Sequence, residues 1–490
     1  MVQENSLKNK TISSMMWKLG ERISAQFVSL IVSIILARLL TPDDYGVVGI
    51  IAIFFSFANV FISGGFNAAL VQKKDADIED YSSVLFISII SATIVYLLLF
   101  LCAPYISQVY GKEILVPIIR VMGITLFINA FKSILCAYIS SRLQFKKFFF
   151  ATIVGTLISA VVGIFMAIKG FGPWALVGQQ MTNAIIDTAV LYLSTKVKFV
   201  FKFSKQKAKG LFGYGWKILV ASTISVLYDE INPLVIGIKY SSANLAFYSK
   251  GRSFPGLINS AISDTLASVL FPVMSKMQDD KEAILKHTRN YMRISSFIVF
   301  PVMFGFLAIA EKFILILLTE KWLPATIYIQ IFCIVYMFNM IQTGNLQVIR
   351  AIGRSDIILK LEIIKKSLYF LVILSFVLLS NSPVYLGVAC IVNTAIATIV
   401  NTAPNKKLVG YKYSMQISDL LLNFITSIVM GCVVYAMGFL NLSIYILFVL
   451  QIITGVLLYV ALSFVTRNPS MKYLISSIKG FLFKKERSGE

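Results

Sequence analysis

Runs of about twenty predominantly apolar residues recur along almost the whole chain, and a run of that length is what an α-helix needs to cross the hydrocarbon core of a bilayer. They fall near 12–38, 45–70, 81–103, 114–139, 148–168 and 173–195. After a basic stretch they resume near 211–238, 244–271, 290–310, 323–349, 357–380, 384–403, 417–440 and 442–466. The pattern predicts an all-α polytopic membrane protein of about fourteen transmembrane helices. Composition agrees, since 58% of the 490 residues are hydrophobic and only 14% charged, at a mean hydropathy of +0.81. Soluble domains do not reach those values.

A net charge of +22 would suit a nucleic-acid binder, but its placement argues otherwise. Counting Lys and Arg in alternate loops puts twenty-nine on one side of the spans and five (Lys112, Lys169, Lys239, Lys312, Lys321) on the other. Basic loops stay in the cytoplasm, so both termini are predicted to be cytoplasmic and no nucleic-acid partner is expected. The N-terminus MVQENSLKNK leads into a run interrupted by Lys18, Glu21 and Arg22, unlike a cleaved signal, and reads as retained. Outer loops are short (TPDD after helix 1, NSP after helix 11, almost nothing between helices 13 and 14), which leaves no room for an extracytoplasmic catalytic domain. The tail KYLISSIKGFLFKKERSGE interleaves apolar residues with lysines, as an amphipathic segment on the cytoplasmic leaflet or a disordered basic tail would.

Cys102, Cys136, Cys333, Cys390 and Cys432 lie within apolar runs at no paired spacing, so they read as small packing residues. The single histidine, His287, stands in a charged, loop-like stretch with no second His or Cys nearby. No metal is expected there.

Comparing halves reveals a second instance of the first six helices displaced by about 200 residues. TPDDYGVV (41–48) aligns with SSANLAFY (241–248), Trp17-Lys18 lies near the place of Trp216-Lys217, and Arg142-x-x-x-Lys146 matches Arg350-x-x-x-Arg354. Order and offset are kept, which marks a repeat. An even number of helices per copy predicts parallel repeats that rock for alternating access. The expected divisions are a six-helix lobe over 1–203, a second over 204–404, and helices 13 and 14 with the tail over 405–490. The extra helices dock on one lobe or line a lateral groove.

An ionisable group at the centre of a span costs about 2.5–3.5 kcal/mol on insertion scales, so it should face a cavity or a partner. Helix 1 carries Ser14, Lys18, Glu21, Arg22, Ala25 and Ser29 at intervals of one, three or four, and helix 7 carries Lys217, Ala221, Ser225, Asp229 and Asn232, with Glu230 adjoining. Helices 2 and 8 do likewise through Ser56, Asn59, Ser63 and Asn67, and through Lys250, Ser253, Gly256, Ser260 and Asp264, with Arg252 adjoining. Stripes on repeat-equivalent helices suit a central hydrated cavity with one wall from each lobe. Close helix packing explains the small and hydroxyl members as well, and Lys18, Arg38, Lys217 and Lys250 are also able to snorkel. The candidate cavity residues are Lys18, Glu21, Arg22, Asn59, Asn67, Lys217, Asp229, Glu230, Lys250, Arg252 and Asp264. With Arg38, Arg120, Lys132 and Asp187 added, basic groups outnumber acidic ones eight to five, which favours an anionic cargo. Arg and Lys suit phosphate or pyrophosphate, and the carboxylates suit a coupling H⁺ or Na⁺.

GERISAQFVSLIVSIILARLLTPDDYGVVGI (20–50) resembles the opening of polysaccharide exporters of the Wzx, colanic-acid-exporter type, within the multidrug/oligosaccharidyl-lipid/polysaccharide (MOP) flippase superfamily. YDEINPLVIGIKYSSANLAFYSKGRSFPGLINSAISDTLASVLFPVMSKMQ (228–278) and QVIRAIGRSDIILKLEI (347–363) are similar to that family's second-half patterns. The resemblance implies a two-lobed twelve-helix core plus two C-terminal helices in a bacterial inner membrane. It further implies a cargo on undecaprenyl pyrophosphate, no cofactor, a cavity lined by helices 1, 2, 7 and 8, and polysaccharide polymerase among the assembly partners. Lys239 and Lys250 stand where such relatives often carry Arg, and a lysine lacks the bidentate fork. The other readings are a multidrug (MATE-type) antiporter, which would favour an acidic cavity for organic cations, and a glycan polymerase, which needs a large outer loop. No GxxxxGK[ST] loop is present for a nucleotide-driven pump.

Overall fold

The computed structural model describes residues 2–63, 65–73, 76–197, 199, 203–264, 266, 270, 274, 275, 277, 278 and 280–472. Among them there is no strand. The long helices are α1 (Val2–Leu39), α2 (Pro42–Ser63), α3 (Ile78–Tyr110), α4 (Ile124–Ser141), α5 (Lys146–Ile168), α6 (Pro173–Thr195), α7 (Lys205–Lys239) and α8 (Ser242–Asn259). They continue as α9 (Lys281–Leu317), α10 (Thr326–Ala351), α11 (Ser355–Leu379), α12 (Val384–Thr402), α13 (Tyr413–Ala436) and α14 (Ile444–Val465). A helix satisfies its own backbone, the condition any lipid-exposed span must meet.

Eleven candidate spans among the described residues are long and apolar enough to cross a membrane. The expected spans at 173–195 and 357–380 form helices α6 and α11, and that at 244–271 is helix α8 as far as Asn259; all three fall outside that set, because each carries several polar or charged residues. Beside an apolar core, burial departs from a soluble protein's on the outer faces and at several interior polar positions. Leu97, Leu98 and Leu101 of α3 and Val161, Phe165 and Ile168 of α5 are exposed, whereas Ser82, Ser83, Ser88, Asn345, Asn405 and Gln451 are buried. Such an apolar exterior needs lipid around it, and the chain is a multi-pass membrane protein.

Two sequence expectations change. The run at 45–70 is not one helix, because Gly65 adopts φ +81° and a Cβ there would lie 2.0 Å from the Gly215 carbonyl oxygen. Asn67 therefore belongs to a separate short helix, Phe66–Gln72. His287 is not in a loop but in α9, whose first turn is capped by the Asp280 carboxylate accepting from the Ala283 amide at 2.9 Å. Between α13 and α14 seven residues intervene, among them the short turn Met437–Phe439. Residues 473–490, most of the expected amphipathic tail, lie outside the described residues.

Two compact units divide the chain, Met1–Ala246 and Phe247–Glu490. In the first, α5 and α6 run along each other, α1 lies on α5, α4 on α3 and α6, and α7 on α2 and α3. Thr41 and Asp44 form a reciprocal capping box for α2. The Thr41 hydroxyl accepts from the Asp44 amide at 3.2 Å, and the Asp44 carboxylate accepts from the Thr41 amide at 2.9 Å. Ser241 caps α8 in the same way, accepting from the Asn244 amide at 3.1 Å, so the aligned TPDD and SSAN turns share a cap. The Asp43 carboxylate accepts from Lys112 Nζ at 2.6 Å and from the Ser242 hydroxyl. Gly46 permits this approach, since a Cβ there would meet the Ser242 carbonyl oxygen at 1.9 Å. At the start of α7, Lys207 Nζ bridges Asp77 at 2.6 Å and Glu79 at 2.7 Å. The bond from Lys207 holds the Asp77 carboxyl at about 2, so the bridge is present above the ordinary carboxylate range and is lost only as pH falls through about 2.

In the second unit α9 is the spine on which α10, α13 and α14 pack, while α12 packs on α10 and α11. Buried Asp419 of α13 fastens α13 to α9. It accepts from Arg289 at 2.8 and 2.9 Å, from Arg293 Nε at 2.8 Å and from the Tyr411 hydroxyl at 3.1 Å. A second fastening joins buried Asn345, Asn405 and Gln416, in which Asn405 Nδ2 donates to Asn345 Oδ1 at 2.6 Å and Gln416 Nε2 donates to the same oxygen at 3.1 Å. Asp419→Asn leaves two guanidinium groups without their counter-charge. Because both arginines are about one-third exposed, the expected loss is at the lower end of the roughly 3–5 kcal/mol for a broken buried pair. Thermal unfolding in detergent should show a clearly lowered midpoint, and an unchanged midpoint would contradict this role.

Candidate functional site

Charged and amide side chains gather inside the first unit, within the spans rather than in the loops. Asp187 lies fourteen residues into α6 and Asn59 seventeen into α2, about 21 and 26 Å along their helices at 1.5 Å per residue. A bilayer core is about 30 Å thick, so both stand at membrane depth. Lys132 Nζ of α4 is 2.5 Å from Asp187 Oδ2, whose side chain is 8% exposed. On α1, Lys18 Nζ is 3.0 Å from Glu21 Oε2, and the Thr152 hydroxyl of α5 donates to Glu21 Oε1 at 3.3 Å. The Lys18 ammonium also stands 4.9 Å from the Phe148 ring centroid. Beside Lys132 a polar cavity of about 430 Å³ opens between α2, α4 and α6.

Of the candidate residues, the structure brings Lys18 and Glu21 together and joins Asn59 to Asn129, whose Nδ2 donates to Asn59 Oδ1 at 3.0 Å. Asn67 Oδ1 is enclosed without a hydrogen-bond partner among the described residues. Arg22, Lys217 and Asp229 are exposed and Glu230 is half-buried. Ser56, Asn59 and Ser63 donate to carbonyls of their own helix at 2.9, 2.8 and 2.6 Å, so much of the α2 stripe is internally satisfied.

In the second unit Lys250 of α8 is buried, its ammonium 5.9 Å from the Trp322 ring centroid. A desolvated cation over an indole gains about 2 kcal/mol. Arg252 is half-buried. The Asp264 side chain lies outside the described residues. An apolar cavity of about 690 Å³ is enclosed by α9, α10, α12 and α13, with Phe300, Phe338 and Phe424 in its wall. Among the described residues no group of three or more His, Cys, Asp or Glu side chains is arranged to hold a metal ion.

Sequence reasoning noted Lys132 and Asp187 without placing them among the candidates, and missed Asn129, Gln179, Gln180 and Asn183. A signal existed. Gln179, Asn183 and Asp187 follow one another at intervals of four and so share one face of α6.

The first unit is thus a helical membrane bundle with a buried ion pair and a polar cavity between its helices. A family model described as polysaccharide biosynthesis protein matches residues 35–327, and the chain belongs to that family. It is 24% identical over 291 residues to the succinoglycan biosynthesis transport protein ExoT of Rhizobium meliloti (strain 1021), a match covering 59% of this chain and 58% of ExoT. The chain thus spans little more than half of that relative. It is 22% identical to the lipopolysaccharide biosynthesis protein WzxC of Escherichia coli (strain K12), over 88% of each chain. Among solved structures, the lipid II flippase MurJ in an inward closed conformation superposes with a TM-score of 0.73 at 15% identity, covering 92% of this chain and 98% of MurJ. An inward-facing MATE family transporter of the MOP superfamily gives 0.61 at 14% identity, over 79% and 94%. These likenesses establish the fold.

Lys132→Met strands the buried Asp187 carboxylate. The variant should unfold earlier by about 3 kcal/mol, and Lys132→Met/Asp187→Leu should recover most of that loss. A coupling of about 1–3 kcal/mol in the double-mutant cycle is expected; strictly additive losses would mean the two groups do not depend on each other.

Proposed function

We propose that this protein flips an undecaprenyl-pyrophosphate-linked oligosaccharide across the bacterial inner membrane by alternating access, as a step in O-antigen, capsule or exopolysaccharide assembly. The observation that carries the reading is the set of ionisable and amide side chains enclosed at bilayer depth in the first unit, within a chain of the polysaccharide biosynthesis family. Packing alone does not require ionisable groups there, whereas a hydrated path for a polar head group does. In this reading Arg22 and Arg252 hold the pyrophosphate through charge-assisted bonds, the saccharide passes along the hydrated path, and the polyprenyl chain stays in lipid. Glu21 and Asp187 are the carboxylates that would carry a coupling H⁺ or Na⁺. Both termini face the cytoplasm, following the basic loops. The protein acts as a transporter, delivering its product to a separate polysaccharide polymerase.

The MATE-like fold keeps an ion-coupled small-molecule antiporter as the second reading. The two are separated in proteoliposomes carrying a fluorescent undecaprenyl-pyrophosphate oligosaccharide. Wild type should move the glycolipid, and Arg22→Ala and Arg252→Ala should each slow it about tenfold or more, the loss expected for a hydrogen bond to a charged group, while inserting and unfolding like wild type. Wild type that moves no glycolipid but exports a cationic dye against a proton gradient would replace the flippase with the antiporter.

A further inference from the structure

The polar cavity between α2, α4 and α6 has a lining of unusual chemistry for membrane depth. Asn59, Asn129, Gln179, Gln180 and Asn183 present five carboxamides around about 430 Å³. That volume falls within the roughly 300–1,000 Å³ of small-molecule sites. Only part of this hydrogen-bonding capacity is used internally. Asn59 Nδ2 donates to the Phe55 carbonyl at 2.8 Å, Asn129 Nδ2 to Asn59 Oδ1 at 3.0 Å, and Asn183 Nδ2 to Ser159 Oγ at 3.4 Å. Gln179 and Gln180 make no side-chain hydrogen bond among the described residues. Each amide both donates and accepts, which is the pattern that matches a sugar hydroxyl, itself donor and acceptor. The one charge in the wall, Lys132, is matched by Asp187 at 2.5 Å, so the cavity presents no net charge to an occupant.

We infer that this cavity is a saccharide subsite of the first unit, taking an uncharged pyranose residue through the Gln179, Gln180 and Asn129 carboxamides. The inference rests on the flippase reading for its context and deepens it, because it separates the part of the site that holds sugar from the arginines that hold phosphate. Amides left facing an empty cavity in the bilayer would be costly. Sugar hydroxyls satisfy them during transport, and water does so between cycles.

The test uses the full chain in lipid nanodiscs and free neutral trisaccharides of gluco, galacto and manno configuration, with trigalacturonate as the charged comparison. Saturation-transfer NMR should show at least one neutral trisaccharide bound by wild type and about tenfold weaker binding in Gln179→Leu/Gln180→Leu, the loss expected for two hydrogen bonds to neutral groups. A second measurement needs no polar-to-apolar change. Ala184→Cys places a thiol in the same wall, and the bound trisaccharide should slow its alkylation. Binding to no neutral trisaccharide, equal binding by the leucine variant, preference for trigalacturonate or unprotected alkylation would each overturn the subsite. Glycolipid flipping measured on the same preparations keeps the two claims apart. Flipping by wild type with unaltered sugar binding in the variant rejects the subsite alone, whereas sugar binding lost in the variant without any flipping by wild type rejects the flippase and leaves the subsite standing.

Discussion

The hydrocarbon of a bilayer offers no water to a polar group outside a hydrated cavity, and the interior of each unit is organised by that shortage. Lys132 and Asp187 are tolerable at membrane depth because they lie 2.5 Å apart. Asp419 is tolerable because two arginines and a tyrosine hydroxyl surround it. Even the hydroxyls along α2 turn back to their own carbonyls. For the charged groups those partners sit on other helices, so satisfying them also decides which helices touch.

The same logic separates fastening from function. The Asp419 cluster and the Asn345, Asn405 and Gln416 network spend most of their hydrogen bonds among themselves, the first fastening α13 to α9 and the second fastening α13 to α10. The cavity beside Lys132 differs because Gln179 and Gln180 turn unused amides toward open space. A closed network holds a helix in place. An open one is available to a polar guest.

Much of the architecture was legible in the chain. Helix positions followed from apolar runs, and the duplicated turn at TPDD and SSAN reappears as a shared capping arrangement on Thr41 and Ser241. The Lys18 and Glu21 pair was visible as a three-residue spacing on one helix. The pairs that join distant segments were not. Arg289 counted as a loop charge, yet it reaches Asp419, 130 residues away, and nothing local marks such a partner.

By itself, then, the sequence determined the class of fold and where its helices run, because bilayer thickness and the helical rise translate directly into the length of an apolar run. It also determined the residue types available to a polar interior. Only the tertiary structure decided which of those residues face one another. It bent the chain at Gly65 and moved Asn67 off α2, buried Lys250 against Trp322, and drew Asn59, Asn129, Gln179 and Asn183 around one cavity from three helices. The physical reason is that side-chain periodicity reports the face of a single helix, while a cavity is made where the faces of several meet, and that meeting is set by packing between segments far apart in the chain.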